Sequence, residues 1–335
     1  MNHPIFILGS HKSGTTLLRN LLNGAPGLFV APLETHFFQL TGFWVDYALR
    51  RSYPQSLSFE QVCEMLIRHV RRNNEVASRT SDSIMVGRWD VMAFEAYLME
   101  HARAPYEKHD WRGFFDAYIE ALHVGLHAKP MEASRFLEKS VENAEYAVLL
   151  QKLYPDAKFL HIVRNPYATL VSLRRHMSLA GYPVLGAALA SLQNSYYYLY
   201  KNPLLLPNYL IVRYEDLLIN PEAVMRRVAE YIDIPFSPQL LVPTALDAAW
   251  PGNSSSGELF EGISRRPIAA WQADIHPLES AFVNLLFPHI LRDFDYEHWS
   301  MSGSIYRPAS QENIKTYIKN RWLWQLTSRS GILPP

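Results

Sequence analysis

A chain of 335 residues, 48% apolar and 19% charged, can bury a sizeable core and is not a disordered protein. Its 32 basic and 32 acidic side chains cancel, which excludes a broad cationic surface for nucleic acid but not a local anion pocket. The single cysteine, Cys63, excludes an intrachain disulfide, and no run of about 18 apolar residues exists to span a bilayer.

The first apolar run begins at Pro4 with no export signal ahead of it, so a cytoplasmic protein is expected. A strand at 5–8 leads into "GSHKSGTT", 9–16, and then a helical pattern. The spacing is nearly the GxxxxGK[ST] of an ATP-binding loop, but Thr15 stands where the lysine belongs, and the loop's lysine, Lys12, lies earlier. Backbone N–H groups at the mouth of a helix bind anions without further help, and Gly9 and Gly14 permit close approach. With Lys12, Ser13, Thr15 and Thr16 as added donors, an anion site is preferred over a plain strand–turn–helix connection. No acidic residue directly ends the strand at 5–8 or the one at 210–212, and the strand at 159–163 ends in Arg164. A Mg²⁺ scaffold is therefore missing, and no metal is expected.

The second strand, 28–31, is followed by Glu34 in "APLETHFFQL". A carboxylate near an anion loop is unfavourable unless chemistry needs a base, although a surface carboxylate or helix cap is the plainer reading. His36 is the competing base, and Phe37 and Phe38 are read as core. Residues 40–133 are aromatic-rich and helical in pattern at 59–71, 93–102 and 111–127, without clear strands. They are read as a helical insertion acting as a substrate cap. His123 and His127 have metal-binding spacing but no third ligand, there is no GxSxG elbow, and Cys63 is isolated.

A weaker strand at 134–138 ends at Lys139, which taken alone reads as an ordinary exposed lysine. After the strand at 159–163, Asn165 and Pro166 form a helix start, and Ser172 lies about two turns beyond. Arg164 and Ser172 together suit a terminal phosphate, against the alternative of a structural salt bridge. "NSYYYLY", 194–200, could stack on an acceptor, but helix packing is preferred. The strand at 210–212 leads to Tyr214, placed to contact a flat base, with Glu215 and Asp216 as helix caps. A helix follows at 221–234, then a loop-like stretch at 235–262 with "PGNSSSGE".

Residues 1–300 are read as one α/β domain, a P-loop-type parallel β-sheet flanked by helices. Residues 301–335 are read as a basic amphipathic tail carrying Trp322 and Trp324. Packing of that tail on its own domain or on a partner chain, as in a homodimer, is preferred over peripheral membrane contact.

Taken in order, "GSHKSGTT", "EKS" at 138–140, "IVRNPYATLVS" at 162–172 and "RYEDLLINPE" at 213–222 resemble the sulfotransferases that use 3′-phosphoadenosine 5′-phosphosulfate (PAPS). "GISRRPIAAW", 262–271, is similar to the closing segment of bacterial members, and "ETHFF" to glycan sulfotransferases of the heparan sulfate type and tyrosylprotein sulfotransferases. Val141 departs from the usual proline after "EKS". The resemblance implies a bacterial-type enzyme moving a sulfuryl group from PAPS to an acceptor hydroxyl, on a glycan, protein tyrosine, lipid or small metabolite, and releasing adenosine 3′,5′-bisphosphate (PAP). It implies Glu34 as base and Lys12 and Lys139 as stabilisers of the leaving oxygen. Lys12, Ser13, Gly14, Thr15, Thr16, Arg164, Ser172 and Tyr214 would hold the nucleotide, with Arg265 and Arg266 closing over the 3′-phosphate. A P-loop kinase or ATPase and a catalytically silent PAP-binding module are the alternatives.

Overall fold

"IFILG" has no polar side chain to expose, and all five residues are buried, as a central strand of a parallel sheet requires. In a computed structural model of the chain, which describes residues 1–46, 51–54, 57–75, 86–132, 135–179, 184–246, 248–254 and 258–299, this run is β1 (Ile5–Gly9). The tail at 301–335 lies outside the described residues. The sheet contains β1, β2 (Leu28–Val30), β5 (Arg135–Glu138), β6 (Lys158–Val163) and β7 (Tyr209–Arg213), in the order β2-β5-β1-β6-β7. Every pairing in it is parallel. The five strands expected from the apolar runs are those of the sheet.

Helices cover both faces. α1 (Thr15–Leu21), α9 (Tyr214–Ile219) and α10 (Pro221–Tyr231) pack over Ile5, Ile7, Leu160, Ile162 and Val212. On the other face Phe6, Phe136 and Phe159 meet Phe37 of the short α2 (Phe37–Leu40), Phe114, Phe115 and Tyr118 of α5 (Trp111–His127), and Tyr154 after α6 (Asn143–Leu153). The alternation of Phe6 and Phe159 against Ile5, Ile7, Leu160 and Ile162 is the period-two pattern of a sheet filled on both sides. A third apolar cluster joins α7 (Pro166–Leu179), α8 (Val184–Lys201), α11 (Pro277–Leu286) and α12 (Pro288–Asp293).

The segment at 40–133 differs from expectation in one respect. It contains a two-stranded antiparallel hairpin, β3 (Phe43–Asp46) with β4 (Arg51–Pro54). Each strand is four residues long, too short for alternation to show in sequence. Its helices α3 (Phe59–Glu75), α4 (Val91–Glu107) and α5 help build the core on the Phe6 face of the sheet. Phe94, Leu98, Phe114 and Phe115 are fully buried.

Candidate active site

The loop after β1 is shaped by two contacts that glycine alone permits. At Gly9 (φ 151°) an added Cβ would lie 2.8 Å from the Ile162 carbonyl oxygen, and at Gly14 (φ 102°) it would overlap the Tyr214 ring. Ser13 turns the loop inward: its N–H and its hydroxyl both donate to the Ser10 carbonyl, at 3.2 and 2.7 Å. The first helical bond of α1 runs from Leu18 N–H to the Gly14 carbonyl (3.1 Å), so the N–H groups of Thr15, Thr16 and Leu17 have no carbonyl behind them. Lys12 is held in the left-handed region (φ 64°), where only the surrounding contacts can keep it. Lys12, Gly14, Thr15, Thr16 and Leu17 all line one open cleft.

Arg164 closes the back of this cleft from the end of β6. Its guanidinium donates to the carbonyls of Lys12 (2.7 Å) and Pro267 (3.4 Å) and stacks 4.8 Å from the centre of the Tyr214 ring. Its Nε is buried without a hydrogen-bond partner. α7 starts as expected, Asn165 Oδ1 accepting from Tyr167 N–H at 2.9 Å, and this sets Ser172 two turns on, in the same cleft as Arg164. Glu215 does not cap α9; it bridges strand ends, accepting from Asn165 N–H (3.0 Å) and Tyr296 hydroxyl (2.8 Å). Trp250, Phe260, Leu218 and Tyr214 give the cleft flat apolar walls, and Gly252 makes room for the Phe260 ring.

Glu34 reaches the cleft through a clamp between neighbouring strands. Past β2 the pairing continues with Ala31 N–H to the Leu137 carbonyl (2.9 Å). Thr35 N–H and hydroxyl then donate to Glu138 Oε1, at 3.2 and 2.9 Å. Glu138 is fully buried and also accepts from Ser140 (2.5 Å) and Asn143. Fixing Thr35 on Glu138 sets the preceding Glu34 beside the following Lys139, and the two form an ion pair. Lys139 is only 2% exposed, so it is not the surface lysine its sequence suggests. His69 of α3 donates from Nε2 to the Glu34 carbonyl at 2.7 Å.

His36 stands next, its Nε2 3.8 Å from Glu34 Oε2 and its Nδ1 3.3 Å from Glu142 Oε2; Glu142 Oε1 lies 3.5 Å from His11 Nε2. Burial alone would raise the Glu34 carboxyl, but Lys139, with His36 and His11, outweighs burial and the Glu142 charge and holds it below the usual carboxylate value. Burial also works against the His36 imidazolium, yet the charges of Glu142 and Glu34 raise it to about 9. His69, by contrast, is pushed down to about 4 by burial and by the His36 charge. His176 of α7, in the same cleft, is lowered to about 4 by burial and then by Lys12 and His11. Atoms of Glu34, His36 and Glu142 lie within 4.8 Å of one another, close enough for a divalent ion. The imidazole already bridges the two carboxylates and Lys139 pairs with Glu34, so the trio is an ion-pair chain, not a ligand set.

The cleft thus gathers Lys12, Gly14, Thr15, Thr16, Glu34, Arg164, Ser172 and Tyr214, with Lys139 directly behind Glu34. Three expected residues stand elsewhere. Ser13 is 1% exposed and does not line the cleft, because the loop's inner turn uses its hydroxyl and N–H. Arg265 donates to the Ile219 carbonyl (2.6 Å) at the end of α9, and Arg266 pairs with Glu258 at 2.5 Å; neither lines the cleft. Sequence reading missed Glu138, Glu142, His11, His176, Trp250 and Phe260. Among the described residues, none in 40–133 lines the cleft, and that segment reaches the site through His69.

Residues 4–238 match the model of the sulfotransferase family. Omega-hydroxy-beta-dihydromenaquinone-9 sulfotransferase of Mycobacterium bovis is 25% identical over 257 residues, 69% of this chain and 63% of that protein. This chain therefore spans somewhat under two thirds of the length of that curated relative. Protein-tyrosine sulfotransferase A of Caenorhabditis elegans is 30% identical over 119 residues, 32% of this chain and 30% of that protein. Among solved structures, the sulfotransferase domain from the Synechococcus PCC 7002 olefin synthase aligns over 89% of this chain and 97% of its own, at 21% identity and a TM-score of 0.49. Because the matched stretch runs from the strand before the anion loop to beyond α10, covering the loop, Glu34, Lys139, Arg164 and Ser172, this chain belongs to the sulfotransferase family.

Proposed function

We propose that this chain transfers a sulfuryl group from PAPS to the hydroxyl of an acceptor, without a metal ion, and releases PAP. The observation that carries the reading is that one cleft joins a helix-mouth anion loop, an arginine–serine pair and a carboxylate backed by a buried lysine. The loop amides and Lys12 suit the 5′-phosphosulfate, Arg164 and Ser172 suit the 3′-phosphate, and the walls of Tyr214, Trp250 and Phe260 suit the purine. Glu34 takes the proton of the acceptor hydroxyl as its oxygen bonds to sulfur. The bond from sulfur to the bridging oxygen breaks, and the charge on that oxygen passes to PAP. Lys12, Lys139 and the loop N–H groups stabilise that charge. A sulfuryl group carries less charge than a phosphoryl group, so cationic side chains can do the work of Mg²⁺. The relatives' names, one for a menaquinone hydroxyl and one for protein tyrosine, support a hydroxyl on a lipid or an aromatic ring as the acceptor.

Labelled sulfate from PAPS should pass into acceptors of a cell lysate in the presence of EDTA, and Mg²⁺-dependent ATP turnover in its place would overturn the reading. Glu34→Gln should lose about 10²–10⁴-fold in turnover. It should still bind PAP like the parent by calorimetry. Near-parental turnover by that variant would remove Glu34 as the base.

A further inference from the structure

Glu34 is an awkward base. A carboxylate between Lys139 and an imidazole is stabilised as the anion, and a carboxylate with a rotatable side chain needs something to aim it. We propose that His36 and Glu142 form a positioning pair: Glu142 fixes the imidazole, and the imidazole orients Glu34 toward the acceptor and sets how readily it takes the proton. The proposal rests on Glu34 being the base.

Three independent features carry it. His36 is held in the left-handed region (φ 46°), a strained conformation for a residue with a side chain, at the junction between the Glu34 clamp and α2. Its N–H donates to Ser140 Oγ (3.2 Å), so the backbone strain is anchored on the segment that carries Lys139. The imidazole then spans two carboxylates, 3.8 Å from one and 3.3 Å from the other, and lies edge-on to His69 with ring centres 5.3 Å apart. Glu142 is 6% exposed and otherwise an expensive charge to bury; His36 and His11 are its compensating partners. His11 immediately precedes Lys12, so the pair is tied to the anion loop as well as to the base.

The charged and titratable groups around the pair come from every neighbouring element. They are Glu138 and Lys139 at the end of β5, Glu142 before α6, His11 and Lys12 on the loop, His69 and Arg72 on α3, and His176 on α7. The net effect on His36 is to favour the imidazolium: burial opposes the charge, but the charges of Glu142, Glu34 and Glu138 and the hydrogen bond to Glu142 outweigh it.

His36→Gln keeps the size and hydrogen-bonding capacity of the side chain but removes its charge. Turnover should fall roughly ten- to a hundredfold through misaligned Glu34. PAP affinity should stay within about twofold of the parent by calorimetry. The acid limb of kcat/KM, which reports the free enzyme, should move to higher pH by about half a unit or more, since a cation beside Glu34 is gone. A merely structural role would lower turnover without moving that limb, and an unmoved limb overturns the proposal. Glu142→Gln gives a second readout free of activity: the His36 imidazole, followed by nitrogen NMR in the full chain, should titrate at least about one pH unit lower than in the parent. An unchanged midpoint overturns the proposal even if His36→Gln fails to fold. The underlying reading fails separately. Turnover by Glu34→Gln removes the base itself, whereas an inactive Glu34→Gln beside a parental His36→Gln removes only the positioning pair.

Discussion

Arg164 touches a loop carbonyl, a distant backbone carbonyl and an aromatic face at once, so its guanidinium is fixed before any ligand arrives. A fixed guanidinium loses little freedom on binding an anion. Arg164→Ala should weaken PAP binding by about ten- to a hundredfold, the worth of one charge-assisted hydrogen bond. Calorimetry checks this, and parental affinity would show that Arg164 serves only the loop. Residues of this kind were legible in the sequence because their spacing carries the information: a strand end, an Asn-Pro helix start, then a hydroxyl two turns on. Glu142 was not legible. In "KSVEN" a glutamate has the look of any solvated acid, and only the return of β5 beside β2 reveals that it is buried against two histidines. Arg265 and Arg266 stand apart: in this structure a backbone carbonyl and Glu258 hold them outside the cleft.

At the scale of elements, the unit that matters is β1, its loop and α1. Gly14 is constrained twice, by φ of 102° and by the Tyr214 ring lying where a Cβ would go. Gly14→Ala should therefore cost about 1–3 kcal/mol and displace Tyr214, lowering Tm and PAP affinity together. Gly24→Ala is the control: its φ is 82°, but nothing lies within 4 Å of the added Cβ, so Tm should fall while PAP affinity stays parental. Differential scanning calorimetry and PAP titration of both variants separate backbone strain from ring displacement. Equal PAP affinity in the two would refute the ring argument. The sheet strands were readable as short apolar runs because parallel strands are buried on both faces. The hairpin β3–β4 was not, and neither was the structural work of 40–133, since an amphipathic helix reads the same whether it packs on a sheet or lies over a cleft.

The whole molecule carries a pH signature set by its histidines. His36 has a folded value of about 9 against 6.5 unfolded, so its contribution is complete below 6.5 and is lost as pH rises through 9. His69, His161 and His176 are held down to about 4, 3 and 4, mainly by burial. There the unfolded chain binds protons that the folded chain refuses, so stability falls as pH drops below 6.5. Maximum Tm should therefore lie near pH 6.5–7, and His36→Gln should flatten the alkaline side alone. A Tm that climbs steadily from pH 6.5 to 9 would contradict this assignment. The α/β class, the order of motifs and the anion loop were readable along one dimension. Of the cluster around Glu34, only Glu34, His36 and Lys139 stood out in the sequence, because its members lie on five separate segments, at His11, Glu34–His36, His69, Lys139–Glu142 and His176.

The strand order places β5 between β1 and β2, although β5 is made long after both. The Lys139–Glu34 pair accordingly closes a sequence separation of 105 residues. Until β5 is made, the facing edges of β1 and β2 have no partner strand to lie between them. Lys139 meets Glu34 only once β5 lies between β1 and β2. A chain in which β5 is not yet seated has no lysine behind Glu34, so under the proposed mechanism the site is completed by the placement of this one strand.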